Sequence, residues 1–128
     1  MSTVPQGLLY TADHEWCRVE GDVATVGVTD YAQKALGDVT FVELPPVGKE
    51  LARGDEACAI ESCKAAASVY APASGKVIEV NTALADDPGS INADPYGAGW
   101  LIKLALRDGA ELSSLKSPEE YAQFLPKE

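Results

Sequence analysis

The chain has 128 residues, of which 20 are acidic and ten are basic, so its formal net charge at pH 7 is −10. This length suits one compact domain, and 46% hydrophobic residues is typical of a folded protein rather than a disordered one. The excess of acidic residues argues against a nucleic-acid-binding protein, because binding to phosphates requires clustered Lys and Arg. The longest apolar run, 57–60, is far shorter than the roughly 20 residues of a membrane span. We therefore expect no membrane segment, and the N-terminus shows no signal or transit pattern.

The cysteines and the histidine indicate neither a disulfide framework nor a metal site. Cys17, Cys58 and Cys63 are odd in number and irregularly spaced, which predicts free thiols and a reducing cytoplasm. Cys58 and Cys63 lack the Cys-x-x-Cys spacing of zinc ligands, and His14 is the one imidazole in the sequence. We expect neither a metal ion nor a catalytic residue of the chain's own.

Short strands separated by glycine and proline dominate the chain from residue 8 to about residue 106. They are predicted from β-branched and apolar runs bounded by turn residues. The predicted strands are 8–10, 16–19, 23–28, 39–44, 48–51, 57–61, 66–70, 77–80 and 100–106. A polar connection rich in turn residues occupies 81–99.

Helices are predicted at two places. One short helix follows Asp30, which we assign as its N-cap, and ends at Gly37. The tail at about 108–126 is predicted to be helical and to pack on the β body, because Asp108–Glu111 and Ser117–Glu120 both fit capping boxes.

A weak internal repeat bears on the fold. The pattern Gly-x-Val-x-x-Val occurs at 37–42 and again at 75–80. We therefore predict a mainly β fold, a flattened barrel-sandwich hybrid of two quasi-twofold β units with short peripheral and C-terminal helices. The whole chain, 1–128, is predicted to form one domain.

Lys64 lies where the first unit is joined to the second. It is placed between the predicted strands 57–61 and 66–70, with small residues on either side, so we expect a hairpin tip that exposes its amine. Such an amine can be acylated by another enzyme, although most lysines at hairpin tips only increase solubility.

The residues around Lys64 are more specific. Residues 61–66, Glu-Ser-Cys-Lys-Ala-Ala, followed by 70–77, resemble the lipoyl-attachment segment of the glycine cleavage system H-protein family. Further blocks at 11–16, 27–33, 36–45, 80–81 and 92–101 resemble that family in the same order. The resemblance therefore covers nearly the whole chain.

The resemblance implies a monomeric, non-catalytic carrier with lipoic acid in amide linkage on Lys64, and with Glu61, Ser62 and Ala65 in the attachment turn. The glycine decarboxylase P-protein would load the arm with the aminomethyl group of glycine. The aminomethyltransferase T-protein would pass the carbon to tetrahydrofolate, and the dihydrolipoamide dehydrogenase L-protein would reoxidise the dithiol. A lipoate ligase or an octanoyltransferase would install the arm, and the cofactor would carry the chemistry.

The resemblance also implies a shelter for the loaded arm. Glu15 matches the acidic residue of that shelter, and Asp13 is a second candidate carboxylate; the alternative for Glu15 is an exposed acid in a loop. Ser68 stands where the family often has aspartate, and Cys63 stands where valine is common. The alternation of faces along a strand predicts that Cys63 is a small buried residue on the face opposite Lys64. His14 is predicted to be a hydrogen-bonded structural side chain.

Other functions remain open on the sequence. A biotinyl domain usually has methionines beside its lysine, where Cys63 and Ala65 stand here. A lipoyl domain of a 2-oxo acid dehydrogenase usually has aspartate before the lysine. An H-like protein that relays lipoate between proteins would need the same Lys64. A small hydrolase using a cysteine with His14 is the alternative from a different class.

Overall fold

The computed structural model describes residues 2–126, so residues 1, 127 and 128 of the predicted domain lie outside the described part. Nine strands and three α-helices follow one another along it. The strands are β1 (Leu9–Tyr10), β2 (Glu15–Glu20), β3 (Val23–Val28), β4 (Val39–Glu43), β5 (Glu50–Leu51), β6 (Glu56–Ser62), β7 (Ala66–Tyr70), β8 (Gly75–Val80) and β9 (Ile102–Leu106). The helices are α1 (Asp30–Leu36), α2 (Ser90–Ala93) and α3 (Pro118–Phe124), with 3-10 turns at Thr82–Ala85 and Gly109–Ser114.

The strands form two antiparallel sheets that do not close into a barrel. One has six strands in the order β1-β2-β3-β9-β8-β5, and the other has three in the order β4-β6-β7. The two copies of the repeat lie in different sheets, since Val39 begins β4 and Gly75 begins β8. The predicted mainly β fold with short helices is thus confirmed.

The core lies between the sheets. Val26 of β3, Ile60 of β6, Val77 of β8 and Leu104 of β9 belong to it and are each 0% exposed. A second, smaller apolar cluster joins the beginning of the chain to its end. It contains Leu8, Tyr10, Trp16 and Tyr121.

The predicted N-cap of α1 is wrong, and one predicted capping box is only half formed. Thr29, not Asp30, is the N-cap of α1, because its hydroxyl oxygen accepts the N–H of Ala32. Asp108 is the N-cap of a 3-10 turn, as predicted. The Glu111 side chain, which a capping box would also use, accepts hydrogen bonds from Ser74 instead. In both cases the carboxylate makes a tertiary contact: Asp30 accepts the N–H of Thr3, and Glu111 accepts from Ser74.

The capping box at the start of α3 is confirmed. Ser117 and Glu120 exchange side-chain and main-chain hydrogen bonds, and Pro118 is the first helical residue. The connection 81–99 holds more structure than its turn residues predicted, namely α2 and a 3-10 turn. None of the helices in the described part of the chain has the length and apolarity needed to cross a membrane.

Candidate functional site

Lys64 lies in the exposed turn between β6 and β7, at the tip of the three-stranded sheet. The two strands are paired up to Glu61 and Ala66, so the turn begins immediately beyond a regular ladder. A regular ladder restricts the backbone, and a side chain at its end therefore has a fixed point of departure. The predicted position of Lys64, exposed at a hairpin tip, is confirmed.

Ser62 holds this turn together. Its Oγ donates to the carbonyl of Ala65 at 3.1 Å and accepts the N–H of Ala65 at 3.0 Å and of Lys64 at 3.3 Å. The main-chain N–H of Ser62 also donates to Ala65 at 2.8 Å. Serine suits this place because a short hydroxyl can bond to the backbone two or three residues ahead.

The other predicted residues of the turn lie close by. Glu61 is exposed on β6, where it pairs with Phe41 of β4 on one side and with Ala66 of β7 on the other. Ala65 is exposed and closes the turn through its carbonyl. The structure therefore brings Glu61, Ser62, Lys64 and Ala65 together at one tip.

The prediction that Cys63 is buried is wrong. β6 ends at Ser62, so the alternation of faces along a strand does not extend to the next residue. Instead the N–H of Cys63 donates to the carbonyl of Asp38 at 3.0 Å, and its side chain is exposed. Cys17 and Cys58 are buried, and burial raises the pKa of each of these two thiols to about 12.

Gly37, at the corner between α1 and β4, lies beside the side chain of Lys64. Gly37 has φ 76° and ψ −158°, and a Cβ atom there would lie 3.0 Å from Cε of Lys64. The lysine stem therefore rests against a residue that has no side chain. Asn92 of α2 secures this corner, because Nδ2 donates to the carbonyl of Gly37 at 2.8 Å and Oδ1 accepts the N–H of Val39 at 2.9 Å.

A cleft of about 210 Å³ lies between α1 and the β6–β7 hairpin, and we call it the α1 cleft. Its lining is mostly apolar and comes from Val28, Tyr31, Ala32, Ala35, Leu36, Ile60, Ala67 and Val69. Its polar lining residues are Asp13, His14, Glu15 and Ser68. Since Leu36 lines the cleft and Gly37 touches Lys64, the stem of the lysine and the cleft are neighbours.

Glu15 is the buried carboxylate of this cleft, with a relative exposure of 2%. Its oxygens accept hydrogen bonds from the Thr11 hydroxyl at 2.7 Å and from the main-chain N–H of Tyr70 at 3.1 Å. Burial raises the pKa of Glu15 to about 6, although these two hydrogen bonds act in the opposite direction. The alternative that Glu15 is an exposed loop acid is wrong.

Asp13 and Glu15 also border a second cavity of about 290 Å³, whose lining includes Arg53 and Lys116. Asp13 is exposed and faces both cavities, so the structure brings the two predicted carboxylates together. His14 is hydrogen-bonded through Nδ1 to the Tyr121 hydroxyl at 2.8 Å, which confirms its predicted structural role.

Sequence reasoning did not identify the residues of α1 that line the cleft, nor the support by Gly37 and Asn92. The apolar face of α1, with Tyr31, Ala35 and Leu36, was the available signal for the cleft wall. Asn92 begins one of the blocks that resemble the family, but no local pattern predicts its hydrogen bonds, because its partners at Gly37 and Val39 are more than 50 residues away.

Comparisons with known proteins give a consistent result. The family model described as "Glycine cleavage H-protein" matches residues 8–128. Curated relatives named "Glycine cleavage system H protein" include those of Rubrobacter xylanophilus, 53% identical, and Carboxydothermus hydrogenoformans, 50% identical. Both alignments cover 100% of this chain, and 99% and 98% of the relatives respectively.

A solved structure is similar as well. The crystal structure of a glycine cleavage system H protein from Mycobacterium marinum superposes with a TM-score of 0.86 at 43% identity. The match covers 94% of this chain and 97% of that one.

Proposed function

Because the chain belongs to the glycine cleavage H-protein family, we propose that it works as a carrier with a lipoyl arm on Lys64. It is a component of the glycine cleavage system, and the arm would serve the P-protein, the T-protein and the L-protein in turn. A lipoate ligase or an octanoyltransferase would attach it. The observation that carries the proposal is the exposed Lys64 on a hydrogen-bonded tip beside an apolar cleft.

The residues present fit such an arm. Its attachment needs a primary amine that another enzyme can reach, and Lys64 is exposed at the end of a paired hairpin. An apolar chain attached there gains by leaving water, and the α1 cleft beside the lysine stem offers apolar lining. When bound, lipoic acid supplies the disulfide that opens as the aminomethyl carbon of glycine is taken up.

The protein itself holds and shelters the arm. Ser62 and Gly37 fix the direction in which Lys64 leaves the tip. Glu15, with Asp13 near it, provides negative charge at the polar side of the α1 cleft, where a cationic amine carried by the arm can be paired. An apolar lining excludes water, which protects a cargo that water would hydrolyse.

Tethering explains how a carrier can work without a tight binding site. An arm joined to the protein presents its end to each partner at a high effective concentration. The net charge of −10 favours fast, salt-sensitive encounters with basic surfaces, and acylation of Lys64 would lower it to −11.

The test is peptide mapping of protein made in a host that supplies lipoate, with Lys64→Arg as the test variant and Lys76→Arg as its matched control. Lys76 is an exposed lysine of β8. We expect one lipoyl amide on Lys64 in the wild type and in Lys76→Arg, and none in Lys64→Arg. Biotin on Lys64, or lipoate on another lysine, would refute the proposal.

A second measurement distinguishes glycine cleavage from relay of lipoate between other proteins. Lipoylated protein is mixed with P-protein, and exchange of the glycine carboxyl carbon with bicarbonate is followed. We expect exchange with the wild type and with Lys76→Arg, and none with Lys64→Arg. A lipoylated wild type that supports no exchange would contradict the role in glycine cleavage.

A further inference from the structure

The C-terminal helix α3 reaches the polar side of the α1 cleft, where Tyr121 makes side-chain hydrogen bonds. Tyr121 is 0% exposed, and its ring stacks on Tyr10 with centroids 4.6 Å apart and planes at 5°. Its hydroxyl lies 2.8 Å from Nδ1 of His14 and 2.7 Å from Oγ1 of Thr29. A residue of the tail therefore joins the loop that carries Asp13 and His14, just before β2, to the N-cap of α1.

The hydrogen bonds of this group can run in two orders, because either hydroxyl can donate in the contact between Thr29 and Tyr121. In one order the Thr29 hydroxyl, whose oxygen accepts the N–H of Ala32, donates to Tyr121, and the Tyr121 hydroxyl donates to Nδ1 of His14. In this order Nδ1 is an acceptor, the imidazole is neutral, and its hydrogen is on Nε2. In the other order Nδ1–H donates to Tyr121 and the Tyr121 hydroxyl donates to Thr29.

The backbone of His14 is held in an unusual conformation at the same place. Its φ is 68°, in the left-handed region that side chains with a Cβ rarely adopt. The carbonyl of His14 accepts the N–H of Thr29 at 3.0 Å, and its own N–H donates to Thr11. The ring lies against Tyr31, 4.6 Å between centroids, and both residues line the α1 cleft. Such strained residues persist where their surroundings fix them.

We propose that Tyr121 is a positioning residue that keeps His14 neutral, through the order Thr29 to Tyr121 to His14, and so keeps the polar side of the α1 cleft electronegative. The inference rests on the proposed function, because its benefit is to a cationic amine carried by the arm. An imidazolium beside Asp13 and Glu15 would offset the negative charge that such a cargo needs.

The groups facing His14 support a neutral ring. Burial lowers its pKa, while the charge of Asp13 acts in the opposite direction. Glu15 follows it as the first residue of β2, Tyr31 faces it from α1, and Tyr121 and Phe124 face it from α3.

The first experiment uses unmodified protein, so it does not depend on lipoylation. His14 is the only histidine in the sequence, so its ring nitrogens can be assigned without ambiguity by long-range proton–nitrogen NMR. We expect the neutral wild-type ring to carry its hydrogen on Nε2. A hydrogen on Nδ1, or a ring already charged at pH 7, would overturn the proposal even if no variant could be made.

Tyr121→Phe removes the hydroxyl and keeps the ring stack. Loss of a hydrogen bond to the neutral imidazole raises its pKa, and we expect a rise of about half a unit or more, which is about a threefold change in the protonation ratio. Tyr10→Phe is the matched control, because Tyr10 belongs to the same stack but donates to the carbonyl of Pro5. An unchanged His14 titration in Tyr121→Phe, or an equal change in Tyr10→Phe, would contradict the relay.

The second experiment measures the sheltering itself on lipoylated protein loaded with glycine by P-protein. Spontaneous release of the amine is followed between pH 6 and pH 8. We expect Tyr121→Phe to release it faster than Tyr10→Phe at pH 6, by at most about threefold for a half-unit rise in the His14 pKa, and at the same rate at pH 8. Equal release rates of Tyr121→Phe and Tyr10→Phe at both pH values would overturn the effect on the arm and leave the result for His14 intact. Absence of lipoate on Lys64 would count against the proposed function alone.

Discussion

The carboxylate of Glu15 accepts the main-chain N–H of Tyr70 at 3.1 Å, and this bond links β2 of the six-stranded sheet to β7 of the three-stranded sheet. The two residues are 55 positions apart in sequence. Because β7 leads back to the lysine tip, the acid that faces the cleft also helps to hold the strand from which the tip extends. A buried carboxylate with two donors is thus part of both the fold and the candidate site.

Burial of Glu15 predicts a pH dependence of stability. Its pKa is raised to about 6 in the folded state, above its ordinary value of 4.5. The folded state therefore binds the proton more tightly than the unfolded state, so the stability contribution of this group is fully present below pH 4.5 and is lost as the pH rises through 6. Relative to Glu15→Gln, we expect the free energy of unfolding of the wild type to fall by about 2 kcal/mol between pH 4 and pH 7.

Urea unfolding at a series of pH values measures this difference. Glu20→Gln is the matched control, because Glu20 is an exposed acid at the other end of the same strand, β2. We expect Glu20→Gln to keep the fall in stability between pH 4 and pH 7. Parallel pH profiles for the wild type and Glu15→Gln would show that the burial of Glu15 has no such effect.

Ser62→Ala tests how the turn presents Lys64. The variant loses one hydrogen bond donated by the serine hydroxyl and two accepted by it. We expect the protein to lose about 1 kcal/mol of stability and to be lipoylated more slowly by a lipoate ligase, as measured by intact mass over time. Ser68→Ala is the control, since Ser68 is exposed on the same hairpin and donates to Glu56. Equal lipoylation rates in the two variants would disprove a role for the turn bonds.

Gly37→Ala tests the support below the lysine stem. Alanine is strained at φ 76°, ψ −158°, and its Cβ would lie 3.0 Å from Cε of Lys64. We expect a loss of about 1–2 kcal/mol in stability together with slower lipoylation. Gly48→Ala distinguishes backbone strain from contact with the lysine side chain. Gly48 also has a positive φ, 98°, but a Cβ there meets nothing within 4 Å. A normal lipoylation rate in Gly37→Ala would mean that the presentation of Lys64 to the ligase does not depend on its contact with Gly37.

The three thiols should differ in reactivity under native conditions. Cys63 is exposed, whereas Cys17 and Cys58 are buried with their pKa raised to about 12. We expect iodoacetamide to modify one thiol per native chain and three per unfolded chain, with the native site identified as Cys63 by peptide mapping. Cys63→Ala should take up none while folded. Rapid native labelling at Cys17 or Cys58 would contradict the described burial.

Local features were predictable wherever neighbouring residues decide the structure. The β-branched run 23–28 coincides with β3, and the capping box from Ser117 to Glu120 begins α3 as expected. The hairpin around Lys64 followed from two apolar runs with small residues between them. In each case the residues that make the structure stand within a few positions of one another.

Features that depend on distant contacts were not predictable in the same way. Thr29 caps α1 while Asp30 bonds to Thr3, and Asn92 secures a corner that lies far from it in the chain. The exposure of Cys63 depended on the residue at which β6 ends, and a shift of one position reverses which face a side chain occupies.

The sequence by itself determined the family, the strand pattern and an accessible amine at Lys64, because these depend on local runs and on a specific motif. Only the tertiary structure decided that Glu15 is buried with an altered pKa and that Tyr121 bonds to His14. Desolvation and hydrogen bonding between residues 55 or 107 positions apart arise only when the sheets and the C-terminal helix have packed together.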